Sequence, residues 1–193
     1  MMVQKGSFAM KILVVVDMQK DFIDGSLGTR EAPAIVANVV EKIRRMPPEA
    51  IFVTRDTHTA DYLSTTEGRH LPVPHCIQGT PGHDLHPAVA AALADVPADH
   101  FVDKPSFGST ELPQRIRRVA GDQPLEIQLV GLCTGICVLS NAIVLKAAFP
   151  EAELSVDAAC CACVSPQSHD TALAALPVCQ ITVENQGKEP WRN

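Results

Sequence analysis

Lys11–Val16 reads KILVVV, an aliphatic run behind one lysine with no polar residue in alternation. A strand with one face in water alternates apolar and polar positions. An unbroken run therefore predicts a strand buried on both faces, as in a parallel sheet covered by helices. Similar short segments return at Ile51–Thr54, His100–Asp103, Glu126–Leu132, Leu154–Val156 and Gln180–Val183. Between them the spacing becomes helical. Ile35, Val36, Val39, Val40 and Ile43 form one stripe, closed by Pro47 and Pro48. Further helices are expected over Ala88–Ala94, after Thr110-Glu111 carrying Ile116 and Val119, over Cys137–Ala148 and over Pro166–Leu176. Strand and helix alternate about six times, which predicts an α/β fold. The expected form is a single-domain, doubly wound, mainly parallel sheet of about six strands with helices on both faces, a three-layer α/β/α arrangement.

At 193 residues, 46% hydrophobic and 20% charged, the chain has the balance of a globular domain with one sizeable core. That domain is expected over residues 10–193, with Met10 a second candidate start and Met1–Ala9 a disordered extension or tag remnant. The net charge is −6 with no basic stripe, which argues against a nucleic-acid partner. The most apolar stretch, Leu129–Leu139, is about half of the ~20 residues a spanning helix needs, so no membrane partner is expected. Ile12–Val16 is too short for a signal-peptide core and runs into Asp17, Lys20 and Asp21. The seven cysteines, an odd count set mostly in apolar runs, fit a reduced cytoplasmic protein better than a disulfide framework.

Open parallel sheets bind ligands past the carboxyl ends of their strands. Asp17 follows the first strand, Asp56 and His58 the second, Lys104 the third, and Cys137 lies beyond the fourth. An acid, a metal-type pair, a base and a thiol thus converge on one edge. Cys137 stands in Gly131-Leu132-Cys133-Thr134-Gly135-Ile136-Cys137, between an apolar strand and an apolar helix. A thiol at a helix start meets unpaired amides that favour thiolate and can serve an oxyanion.

Each of these features also has a plainer reading. Cys137 is equally compatible with an inert core cysteine, and Cys133 with Cys137 could form a redox pair. Cys160, Cys161 and Cys163 have the density of zinc ligands, but adjacent cysteines point apart and no partnering pair lies near. Asp17 and Lys104 could be a structural ion pair. A phosphatase-like nucleophile at Asp17 would expect a second Asp two residues on, where the chain has Gln19. Asp56 and His58 share one side of an extended chain. His75 could close a site with them, but His58, His70, His75, His83 and His86 all lie in the long stretch from Arg55 to Pro87, so spacing alone does not choose.

Five motifs in order carry a resemblance: Val15-Val16-Asp17-Met18-Gln19-Lys20-Asp21-Phe22, Arg55-Asp56-Thr57-His58, Pro74-His75-Cys76, Asp103-Lys104 and Gly131 to Cys137. Together they resemble the isochorismatase-like cysteine hydrolases, of the nicotinamidase/pyrazinamidase type, from about Lys11 to Val183. The resemblance implies a catalytic triad on Asp17, Lys104 and Cys137. It implies a divalent metal, commonly zinc, on Asp56, His58 and His75, with Glu67 resembling an acidic residue that joins the metal in some members. It also implies a cis peptide at Leu132–Cys133, an oxyanion hole from the amides of Cys133 and Cys137, and Phe22 as an aromatic substrate-pocket residue. A homo-oligomer is compatible with it.

Two positions depart from the family pattern. Gly135 stands where an acidic residue is common, and Leu71-Pro72-Val73-Pro74 is aliphatic where an aromatic often precedes the metal histidine. The expected activity is a cysteine-dependent amidohydrolase, nicotinamidase-like, turning a small carboxamide into acid plus ammonia through a thioester. A relative acting on a carbamoyl or ureide amide is the nearer alternative, and a non-enzymatic metal or redox module the more distant one. Isochorismate cleavage fits less well, because a vinyl ether needs no thiol nucleophile.

Overall fold

The computed structural model describes residues 9–192, so all of the expected Met1–Ala9 extension except Ala9 lies outside it. Six strands form one sheet: β1 (Met10–Val16), β2 (Ile51–Asp56), β3 (Phe101–Lys104), β4 (Leu125–Leu132), β5 (Glu153–Ala162) and β6 (Ile181–Glu184). Their order is β3-β2-β1-β4-β5-β6, and every pairing is parallel. Seven helices accompany them among the described residues: α1 (Lys20–Ile23), α2 (Ala32–Arg44), α3 (Thr66–His70), α4 (Pro87–Ala92), α5 (Leu112–Ala120), α6 (Leu139–Ala148) and α7 (Pro166–Ala175).

The unbroken apolar run of β1 is explained by two cores. Ile12, Val14 and Val16 face a layer built by Leu112 and Ile116 of α5, Ala142 and Leu145 of α6, and Leu173 of α7. Leu13 and Val15 face the opposite layer, where α2 contributes Ile35, Val36, Val39, Val40 and Ile43 and α4 contributes Val89. Burial of each such aliphatic side chain contributes roughly 1.5–3 kcal/mol, which is why both faces must be covered. Strand order reverses between β1 and β4, and a crevice opens there at the carboxyl ends.

Several boundaries differ from expectation. β5 runs from Glu153 to Ala162, well beyond Leu154–Val156, and carries the cysteine-rich segment as strand. Cys161 therefore faces the first core and Cys160 the second. Val119 lies on the exposed flank of α5, and Ile116 with Ala120 makes its buried stripe. The expected helix from Cys137 begins with a π-helical turn, Thr134–Val138, before α6. The Arg55–Pro87 stretch is folded: it finishes β2, forms α3, and then returns His75 and Cys76 to the site. One glycine is demanded by packing. Gly131 has φ of 118°, and a Cβ there would stand 2.1 Å from the Val16 carbonyl oxygen, at the point where the β4–β5 register shifts.

Among the described residues no helix is long and apolar enough to cross a membrane.

Candidate active site

The ends of β1, β2, β3 and the turn after β4 bring Asp17, Asp56, Lys104 and Cys137 together. Lys104 Nζ lies 2.6 Å from Asp17 Oδ2, 3.2 Å from Asp56 Oδ1 and 3.5 Å from Cys137 Sγ. It also donates to the Ser106 carbonyl at 3.0 Å. The Thr54 hydroxyl donates to Asp17 Oδ1 at 2.6 Å. Oδ2 meets the ammonium at ion-pair distance but outside hydrogen-bonding angles, so among the described residues it has no hydrogen-bond partner. Asp17 itself has φ of 47°, a left-handed backbone that few non-glycine residues adopt outside functional sites.

These groups are almost fully buried, and burial sets their protonation. Burial raises the Asp17 carboxyl above the ordinary carboxylate range, although Lys104 pulls it back down. Burial and then the Asp17 charge push the Cys137 thiol well above its ordinary value, against the opposing pull of Lys104. Burial also works against the Lys104 charge, but the carboxylate charges of Asp17 and Asp56 outweigh it and hold the ammonium. The resting arrangement is a protonated thiol beside a carboxyl whose pKa has been lifted toward the working range of a general base.

Next to this group, Asp56, His58, Glu67 and His75 offer one ligand atom each, all within 4.8 Å of one another. Asp56 Oδ2 is 2.9 Å from His58 Nε2 and 3.4 Å from His75 Nε2, and Glu67 Oε1 is 3.6 and 3.7 Å from the same nitrogens. His75 Nδ1 donates to the Val73 carbonyl at 2.8 Å, an oxygen that only accepts. In the neutral ring the Nε2 lone pair then faces two carboxylate oxygens. A cation between them resolves that opposition, and two imidazoles with two carboxylates suit a divalent metal such as zinc. The donor set fits the group. Tyr62, buried with its hydroxyl donating to the Leu71 carbonyl, packs its ring 4.7 Å from His58 and 5.0 Å from His75.

The thiol sits in the π-helical turn. The Ile136 and Val138 amides both donate to the Cys133 carbonyl, at 3.0 and 3.1 Å, and the Leu132–Cys133 peptide is cis. Burial, followed by the charge of Cys163, pushes the half-buried Cys133 thiol up to about 12.

A cavity of about 260 Å³ joins the two groups. Phe22, Leu27, Leu71, Phe107, Ile136 and Val164 supply its apolar wall, while Asp56, Glu67, His75 and Cys137 supply its reactive end. Phe22 stands 5.4 Å from the His75 ring. The cavity widens outward between α3 and the 105–107 loop, past Leu71, Phe107 and Ile136.

All nine residues anticipated from the sequence therefore line or border one crevice. Three supports were not anticipated. Gln19 donates through Nε2 to the carbonyls of Asp56 and His83 and accepts the Asp56 amide at 2.7 Å, so it clamps the backbone of a residue in the metal-type group. Asn141 donates to the Cys137 carbonyl at 2.8 Å and to the Phe107 carbonyl at 3.2 Å. Thr54 holds Asp17. The available signal was a polar residue inside an apolar run, which says that a partner exists but not which one.

Residues 11–185 match the model of the isochorismatase domain family. The nicotinamidase/pyrazinamidase of Mycobacterium tuberculosis is 26% identical over 152 residues, covering 69% of this chain and 77% of that protein. A crystal structure of a nicotinamidase/pyrazinamidase from Bacillus subtilis superposes with a TM-score of 0.77 at 25% identity, over 91% of this chain and 99% of that one. A pyrazinamidase from Pyrococcus horikoshii in complex with zinc gives 0.72 at 27% identity, over 90% and 98%.

Proposed function

The chain belongs to the isochorismatase family, and from that premise we propose that it is a nicotinamidase-like amidohydrolase acting on a small carboxamide. The observation that carries this reading is one ammonium, on Lys104, set between a buried carboxylate at 2.6 Å and a thiol at 3.5 Å. Amidase relatives of similar sequence and fold support it as well.

In the proposed reaction Asp17 takes the proton of the Cys137 thiol as Sγ attacks the amide carbonyl carbon. The amides of Cys133 and Cys137 receive the oxyanion. Asp17 returns the proton to nitrogen as the C–N bond breaks and ammonia leaves. Asp17 then deprotonates a water that adds to the thioester, and as the C–S bond breaks it passes that proton to the departing Cys137 sulfur, leaving the acid and the resting thiol. Lys104 holds the negative charge that passes between Asp17 and the thiol. Asp56, His58, His75 and Glu67 would hold a divalent metal, which when bound supplies a Lewis acid for a donor atom of the substrate ring or for water. Phe22 and Phe107 line the cavity that would receive the acyl group. A cytoplasmic setting belongs to the same reading, carried by cysteines read as reduced.

A second reading keeps the chemistry and changes the substrate to a carbamoyl or ureide amide. It is favoured by the aliphatic part of the wall, Leu71, Ile136 and Val164. The cysteine-metal form of the more distant alternative is disfavoured because, among the described residues, no cysteine enters the metal-type clusters.

The test is ammonia release from nicotinamide and a panel of small amides by wild type and Cys137→Ala, with metal content read on both. Release by wild type alone, with metal in both, is expected. Equal activity in Cys137→Ala would remove the nucleophile assignment. Metal lost only in that variant would point to a thiol-bound metal.

A further inference from the structure

A second buried polar cluster lies behind the nucleophile turn, on the side away from the cavity. Thr134, the first residue of the turn, is fully buried, and its hydroxyl donates to the Ala162 carbonyl at the end of β5 at 2.9 Å. The same oxygen lies 2.8 Å from His169 Nδ1 on α7. His169 is also fully buried, and its Nε2 lies 3.2 Å from Glu189 Oε1. The capping box of Ser165 and Ser168 sets the first turn of α7 and so aims His169 at Thr134. Beyond it, Arg192 binds both Glu189 and Asp170, and the Trp191 ring meets the His169 ring edge-on at 5.0 Å while its Nε1 donates to the Cys161 carbonyl at 3.3 Å. Arg192 already supplies the positive charge that these carboxylates would otherwise draw from a metal ion.

Proton counting gives the chain a direction. Glu189 as a carboxylate only accepts, so Nε2 of a neutral imidazole carries the ring proton. Nδ1 is then bare, and the Thr134 hydroxyl is the donor that faces it. That single hydroxyl proton is shared in one three-centre hydrogen bond between the Ala162 carbonyl on β5 and Nδ1 on α7. Both elements are anchored in the first core, so the hydroxyl ties the turn to rigid neighbours on two sides.

We propose that His169 is a positioning residue of the hydrolysis, holding through Thr134 the turn that carries Cys133 and Cys137, with Glu189 setting its tautomer. The proposal rests on the amidohydrolase reading above. Misplacing a nucleophile or an oxyanion donor by a fraction of an ångström lowers turnover more than binding.

The test compares His169→Leu, which removes the acceptor, with His169→Asn, whose Oδ1 can stand where Nδ1 stood. His169→Leu is expected to lower kcat on the best amide about 10- to 100-fold, the range for residues that orient reacting groups. KM should stay within about twofold, metal content should be unchanged, and His169→Asn should recover most of kcat. Nitrogen chemical shifts of His169 in the wild type should report the Nε2–H tautomer. If His169→Leu does not fold, Thr134→Val against Thr134→Ser asks the same question. Unchanged kcat in the disruptive variants, a rise in KM alone, or an Nδ1–H tautomer overturns the proposal. If the wild type releases ammonia from no amide in the panel, the amidohydrolase reading fails by itself. The labelling rate of Cys137 by iodoacetamide then replaces kcat, and equal rates in His169→Leu and His169→Asn overturn the positioning role.

Discussion

Asp17 and Lys104 face each other from the ends of β1 and β3, strands that do not touch, with Nζ 2.6 Å from Oδ2 and both side chains wholly buried. β2 lies between them and contributes Thr54 and Asp56 to the same group. A buried pair of this kind gains Coulomb energy only while both partners remain, because each charge alone must bear its own desolvation.

The pair should therefore be non-additive. Asp17→Asn and Lys104→Met singly are each expected to cost about 3–5 kcal/mol of folding stability. The double variant should cost clearly less than the sum. Urea midpoints of the four proteins check this, and additivity within about 0.5 kcal/mol would mean the two charges are not coupled.

Gln19 touches no proposed ligand atom but grips the Asp56 backbone from both sides. Gln19→Leu should weaken zinc binding roughly 10- to 100-fold, as loss of a ligand-orienting residue commonly does. Competition against a chelator of known affinity reads this directly. Cys137→Ala in the same assay should bind zinc like the wild type.

Gly131→Ala should be among the most damaging single changes outside the catalytic group. The added methyl would meet backbone at 2.1 Å while φ stays at 118°, and neither β1 nor β4 can retreat without moving Asp17 or the turn. A loss of more than about 4 kcal/mol, or no folded protein, is expected. A well-folded Gly131→Ala would show that this crossing has slack.

Acid should loosen the Glu189–His169 cluster in two steps. Burial holds His169 below its ordinary value of 6.5, with Arg192 adding to that and Glu189 and Asp170 opposing it. The unfolded state thus binds the proton first, and stability falls as pH drops below about 6.5. Burial alone would raise Glu189, but the hydrogen bonds from Arg192, the backbone and His169 outweigh it and hold its carboxyl below 4.5. Its contribution is therefore complete above that pH and is lost as pH falls through the folded value. Urea midpoints between pH 8 and pH 4 should decline in this direction for wild type. The step below about 6.5 should be smaller in His169→Asn, with the remainder owed to His83, which burial also holds below its ordinary value.

Much of the fold was legible because its signals are local. KILVVV reported a strand buried on both faces, and the stripe from Ile35 to Ile43 reported one buried helix face. The convergence of the candidate-site residues was legible for a similar reason: Asp17, Asp56, Lys104 and Cys137 each stand at or past a strand end. β5 was read too short because Asp157 and the cysteines break an aliphatic pattern, yet Asp157 pairs with Lys42 of α2 at 2.7 Å and remains in the sheet.

By itself the sequence determined the fold class, the residues at or past the carboxyl ends of the first four strands, and the kinds of side chain available to the site. The tertiary structure alone decided that the spacing-ambiguous stretch of five histidines brings both His58 and His75 to Asp56, that Gln19 reaches the Asp56 backbone from 37 positions away, and that His169 stands behind the Thr134–Val138 turn. The reason is that periodicity and turn chemistry constrain neighbours along the chain. Distances between residues far apart in sequence follow from the strand order and from the packing of both cores, and no short segment encodes either.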